Sequence, residues 1–259
     1  MLQKCVVHRL GLVAYEEAWE LQSSLATEIA TGERPPTLLL LQHPHTFTFG
    51  RRGQLENLLW NEAELAGRGV GVHWVDRGGD VTYHGPGQLV GYPILPLDTS
   101  GLHVEGNSTR IPQADYVGYV RKLELALITA LARLGVASTQ LPGLTGVWVQ
   151  AQRGGARPVP VNPGHQGGRG PAKIAAIGVK VDAHGISRHG FALNVDPDMT
   201  YWEGIVACGL LDHQVTRLAD LIDPTPTMDK VMQPLITSFG EVFQYEMSEE
   251  TLTKMPDSI

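Results

Sequence analysis

The strongest constraint on this chain is one amphipathic stripe. Between residues 112 and 134 the apolar positions Tyr116, Tyr119, Val120, Leu123, Leu127, Ile128, Leu131 and Leu134 recur at helical spacing, and Gly135 follows where a C-cap is expected. A helix with one apolar face has to bury it. The sequence supplies sheet for that purpose. Short runs at residues 5–9, 37–42, 46–49, 72–75, 88–97, 146–150, 174–181 and 191–195 read as strands from their β-branched, aromatic and aliphatic content. Tyr15, Ala18, Trp19, Gln22, Leu25 and Ile29 make a second helical stripe, closed by Gly32 and the pair Pro35-Pro36. Residues 216–222 and 228–243 read as helices, the latter bent at Pro234. Pro93 and Pro96 assign the run at 88–97 to a sheet edge or a strand end. Strands interrupted by helices give a mixed α/β (α+β) class.

The 259 residues fit one domain with embellishments. Between residues 153 and 171, 6 of 19 positions are Gly and 4 are Pro, with no apolar period, so residues 151–172 read as a flexible insertion in a hairpin. Residues 225–259 read as a C-terminal helical extension. Lys and Arg number 20 against 27 Asp and Glu, a net charge of −7, which offers no general basic field for nucleic acid. The longest run of large aliphatic residues is 38–41, far short of a membrane span, and acidic residues interrupt the N-terminus before any signal-like core. With Cys5 and Cys208 its only cysteines, the chain is no disulfide scaffold. A cytoplasmic monomer is expected.

Chemistry concentrates in three places. The stretch Arg77-Gly78-Gly79-Asp80-Val81-Thr82-Tyr83-His84-Gly-Pro-Gly-Gln88 is a glycine-dense loop suited to lie against a ligand, and equally to a simple turn; it lacks the order of a dinucleotide fingerprint. Cys208 sits in Ile-Val-Ala-Cys-Gly-Leu, as a small buried hydrophobe or as a nucleophile whose thiolate needs a nearby cation or base. Lys173, His84, His189 and Arg188 are candidates for that partner. Lys173 opens the apolar run Lys-Ile-Ala-Ala-Ile-Gly-Val, which fits a partly desolvated amine and also a solvent-facing strand start. His43 and His45 flank Pro44 without a second ligand pair at a familiar spacing, so no metal is expected. Phosphate-loop, zinc-protease and nucleophile-elbow motifs are all missing.

The block at residues 77–93, with Gly146-Val-Trp-Val, Lys173-Ile-Ala-Ala-Ile-Gly-Val and His189-Gly-Phe-Ala-Leu-Asn-Val, closely resembles the octanoyltransferases of lipoate biosynthesis, in order from about residue 8 to residue 222. The resemblance implies the fold of the biotin and lipoate ligase catalytic domains, a mixed sheet with helices on one side. It implies transfer of an octanoyl group from acyl carrier protein to a lysine of the lipoyl domains of 2-oxoacid dehydrogenases and of the glycine cleavage H protein, with no cofactor. Cys208 takes the family's acyl-thioester position and Lys173 the lysine that lowers its pKa. The substrate pocket maps onto Arg77 to His84 (Arg77, Gly78, Gly79, Asp80, Val81, Thr82, Tyr83, His84), onto Ala176, Ile177 and Gly178, and onto Gly190, Phe191 and Ala192.

Arg51, Arg52, Arg68, Arg77 and Arg188 are expected to form a basic patch around the cleft for acidic partners, outweighing the remote negative excess because salt screens beyond ~8 Å. The chain departs from the family in its longer insertion, in extra loop at residues 102–110, and in Ala-Cys-Gly where related chains often carry Pro-Cys-Gly. Two rivals stand beside the transferase: an ATP-dependent lipoate or biotin ligase, which would need a lysine-rich adenylate signature and no cysteine, and an inactive acyl-binding protein.

Overall fold

The computed structural model describes residues 2–97, 115–150, 170–207 and 214–252, together with the backbone of 159–160. Its elements run β1 (Gln3–Leu12), α1 (Tyr15–Ala30), β2 (Thr37–Gln42), β3 (Thr46–Phe49), α2 (Glu62–Gly67), β4 (Gly71–Trp74), β5 (Val81–His84), β6 (Gln88–Ile94), α3 (Tyr116–Arg133), β7 (Val147–Val149), β8 (Val159–Pro160), β9 (Ala172–Val181), β10 (Ser187–Asn194), β11 (Gln214–Val215), α4 (Met228–Phe243) and β12 (Tyr245–Glu249). Among the described residues these strands form a nine-stranded mixed sheet in the order β12-β1-β2-β6-β10-β9-β11-β8, with β7 also on β9, and a three-stranded sheet, β4-β3-β5.

Strand β2 shows how the sequence dictates the layers. Its run Thr-Leu-Leu-Leu-Leu-Gln does not alternate because both faces are covered. Leu38 and Leu40 pack with α3 and α4, while Leu39 and Leu41 pack with α1. Helices therefore cover both sides of the sheet, not one. The small sheet closes a third cluster, in which Phe47, Phe49, Val81 and Tyr83 meet Trp60, Met199 and Trp202.

The helix ends follow local chemistry. Asn61 and Glu64 form a reciprocal capping box on α2, and the Asp115 carboxylate accepts from Gly118 N at the start of α3. Two expectations are corrected and a third is decided between its alternatives. The run 88–97 is no edge, since β6 pairs with β2 through Leu38↔Pro93 and with β10 through Phe191↔Gly91, but its prolines do mark a strand end, Pro93 being the last residue but one of β6 and Pro96 lying beyond it. Pro93 is tolerated inside because the β10 ladder breaks beside it, where His189 adopts φ 56, and pairing resumes as Ser187 N donates to Leu95 O. Residues 216–222 hold only a 3-10 turn at Leu218–Asp220 after the two-residue β11, too short to bury a helical stripe. The C-terminal extension is not all helix, since β12 joins β1 in parallel at Gln3↔Tyr245. Strands β7 and β9 pair antiparallel, so the Gly- and Pro-rich segment does connect neighbours. Most of that segment, residues 151–158 and 161–169, and the extra loop at residues 102–110, lie outside the described residues. No helix of the described residues is long and apolar enough to cross a membrane.

Candidate active site

A cleft of about 760 Å³ lies between the glycine loop of the small sheet and strands β9 and β10 of the large one. Its floor follows from register. Ala176 pairs with Ala192 and Gly178 with Gly190, so four of the smallest residues stand side by side. All four line the cleft, as do Ile177 and Phe191. Gly190 has no room for a Cβ, which would fall on Gly91 O.

Arg77, Gly78, Gly79, Asp80, Thr82 and His84 form the opposite wall. Val81 and Tyr83 are not in the cleft. Alternation along β5 turns them into the aromatic cluster behind it, a correction to the mapping of the whole run 77–84. Arg77 is buried and braces the fold, its guanidinium donating to Thr48 O, Thr48 Oγ1 and Gly78 O at 2.5, 2.9 and 2.9 Å. The Asp80 carboxylate accepts from Val81 N, Gln54 N and Asn57 Nδ2, holding the segment that carries Arg51 and Arg52. Gly78 N and the Tyr116 hydroxyl both donate to Val179 O, at 3.0 and 2.7 Å, which fixes the loop and the start of α3 on β9.

Asp76 locks this wall to the β9–β10 hairpin. It accepts from His189 Nε2 at 2.7 Å and Arg188 Nη2 at 3.0 Å, and it pairs with Lys180. Those donors, the His189 bond first, hold the Asp76 carboxyl well below the usual carboxylate range. The basic patch is smaller than expected. Arg51 and Arg52 are exposed at the cleft. Arg77 and Arg188 are engaged as above, and Arg68 lies 4.3 Å over the Trp60 ring.

Lys173 stands at one end of the cleft with Nζ 4.8 Å from the centroid of the Trp148 ring, a placement that favours the ammonium. Gly146, at φ 121, passes so close that a Cβ would press on Ala175 O, with the Lys173 stem in ordinary contact beside it. Its N–H donates at 2.9 Å to Glu124, a fully buried carboxylate of α3 that also accepts from Arg121. Cys208 lies outside the described residues, which end at residue 207 and resume at residue 214. Cys5 is fully buried in the main core, and burial pushes its thiol up to about 12, so it is inert.

At the far end the cleft is closed by Tyr15, Tyr92 and His84, with His43 behind them. Carbonyls only accept, so His43 carries its proton on Nδ1, which donates to Val13 O at 2.7 Å. Its Nε2 then accepts from the Tyr92 hydroxyl at 2.7 Å. His84 Nδ1 donates to Gln88 Oε1 at 3.3 Å, and its ring stacks on Tyr15. Burial lowers His43 from 6.5 to about 4 and holds His84 well below its ordinary value. Sequence reasoning missed Tyr15 and Tyr92, which it assigned to core-facing stripes. His45 donates to or accepts from the Tyr83 hydroxyl at 2.9 Å and stacks on Tyr201.

Residues 14–240 match the family model of the lipoyl protein ligase A/B catalytic domain. The octanoyltransferase of Chloroflexus aurantiacus is 43% identical over 97% of this chain and 99% of its own length, and that of Acidobacterium capsulatum is 43% identical over 92% and 89%. The chain belongs to the octanoyltransferases. It is thus an acyl-transferring enzyme of lipoylation. A bi-partite lipoate protein ligase from Thermoplasma acidophilum shares the transferase's fold, with a TM-score of 0.65, 17% identity and coverage of 98% of this chain and 89% of that one.

Proposed function

We propose that the enzyme takes an octanoyl group from acyl carrier protein onto Cys208 and passes it to a lysine of a lipoyl domain, with Lys173 moving the protons. The observation that carries this reading is the cleft of about 760 Å³ that Lys173 lines together with the small residues Ala176, Gly178, Gly190 and Ala192. Chain connectivity supports the partner. Six residues after Cys208 the chain is paired beside the lysine, through Gln214↔Ala172 and Val215↔Lys173. The Trp148 face favours an ammonium at Lys173, and an ammonium favours a thiolate near it.

The protons and bonds then balance. Lys173 accepts the Cys208 proton, and the thiolate attacks the thioester carbonyl of the octanoyl carrier. The tetrahedral intermediate expels the pantetheine thiolate, which takes the proton from Lys173. In the second half the acceptor amine attacks the acyl-cysteine, Lys173 removes its surplus proton, and Cys208 leaves as thiolate. A thioester is already activated, so exchange onto a thiol is near neutral in energy and amide formation runs downhill. Exposed Arg51 and Arg52 at the cleft give acidic carriers a local positive surface.

Incubation with octanoyl carrier protein followed by intact-mass spectrometry tests the reading. Wild type should gain one octanoyl group on Cys208, released on adding a lipoyl domain, and Cys208→Ala should gain none. An unmodified wild type would favour the acyl-binding alternative.

A further inference from the structure

The far end of the cleft is built from residues of four separate segments, and the transfer chemistry uses none of them. Tyr15 comes from the first turn of α1, Tyr92 from β6, His84 from β5 and His43 from the turn after β2. All four are buried. Tyr15, Tyr92 and His84 face the cleft, and His43 stands behind Tyr92 as a brace.

The hydrogen bonds run in one direction, from Tyr92 through His43 to the Val13 carbonyl, and the Tyr15 ring stacks against His84 beside them. Swinging Tyr92 aside would strand the His43 lone pair in a dry site, the kind of loss that keeps buried polar groups in place. The wall is therefore stiff. Nor does the slot continue under the glycine loop, because a Cβ on Gly178 would already meet Arg77 Cδ at 3.1 Å and Gly78 O at 3.1 Å. Arg77 cannot withdraw, since it is tied to Thr48. A chain lengthening from the Lys173 end thus runs out of floor at Gly178 and meets hydrogen-bonded rings, where a methylene replaces no lost polar contact.

We propose that Tyr15, Tyr92 and His84, braced by His43, form the end wall of the acyl slot and set the longest chain that the enzyme transfers. This deepens, and rests on, the reading of the slot as an acyl site.

The test is a competition among six-, eight-, ten- and twelve-carbon acyl thioesters of carrier protein, read as relative kcat/KM for acyl loading. Tyr15→Leu and Tyr92→Leu should raise the ten-carbon to eight-carbon ratio by about 10-fold or more, the discrimination one methylene commonly carries in an apolar pocket. Ala192→Val, which narrows the slot floor, should move the preference the other way, toward six carbons. Tyr92→Phe keeps the ring and its packing, so it serves where a leucine variant fails to fold, and should give a smaller rise in the same direction. Folded variants whose ratios match wild type, or in which every chain length falls together, would overturn the wall. A wild type that loads no acyl chain at any length would instead overturn the acyl-site reading itself.

Discussion

The two ends of the cleft are built on opposite plans. At one end a single amine, Lys173, rests on an aromatic face beside a glycine, on a strand that Val215 joins in parallel. At the other, four rings from distant segments are held by ring contacts and by the Tyr92–His43–Val13 hydrogen bonds in a buried wall. The first suits a group that must gain and lose protons during the reaction. The second suits a surface that must keep its shape. One small-residue floor joins them, and the division of labour between reactivity and shape is what the contrast teaches.

The comparison breaks first at the reactive end. Lys173→Ala should lower octanoyl transfer by about 10²- to 10⁴-fold, the usual worth of a positioned acid–base group, with the acyl-length ratios unchanged. Steady-state kinetics on two chain lengths checks both halves of the statement. Next comes the support beneath that lysine. Arg121→Ala leaves the buried Glu124 carboxylate with Gly146 N–H but no cation, and should destabilise the fold by about 3 kcal/mol, read as a lower urea midpoint at constant slope.

The wall end gives a pH signature. His43 titrates at 6.5 when unfolded and at about 4 when folded, so the unfolded chain binds the extra proton between those values. Stability should be flat above pH 6.5 and fall below it, by about 2 kcal/mol at pH 5 from His43 alone. His84 and His189, also lowered by burial, add in the same sense. Asp76 stays charged throughout that window and contributes loss only below 3.8. Denaturant melts from pH 7 to pH 5 should show the drop, and His43→Gln should make it shallower. The smallest effect belongs to the rim. Reversing Arg51 and Arg52 to Glu should raise the carrier KM a few-fold, more at low salt, without moving the acyl-length ratios.

Much of this was legible in the sequence, for identifiable reasons. The α3 stripe, the β2 run and the glycine loop announce themselves because each is local: 3.6-residue spacing, continuous aliphatics on a doubly covered strand, Gly at a close approach. The slot floor was legible only as separate small residues, since Ala176 and Ala192 become neighbours through the β9–β10 register. Val81 and Tyr83 were assigned to the pocket with their motif, although alternation along β5 excludes them. Tyr15 and Tyr92 were hidden more thoroughly. Each lies on an apolar stripe, and they acquire meaning only when the fold brings His43 between the Tyr92 hydroxyl and Val13, and His84 against the Tyr15 ring. Pro93 and Pro96 left an edge and a strand end open, and only the partners on both sides of β6 decide for the strand end, with the ladder break at His189 beside it.

The pH profile of Cys208 alkylation, in wild type and in Lys173→Ala, measures most directly whether that thiol and that amine act together. Cys5, buried with its thiol pushed up to about 12, should stay unmodified and serve as the internal control. Wild type should reach its half-maximal rate well below the ~8.5 of an ordinary thiol, and the variant should return to about that value. Superimposable profiles would contradict the pairing of Cys208 with Lys173.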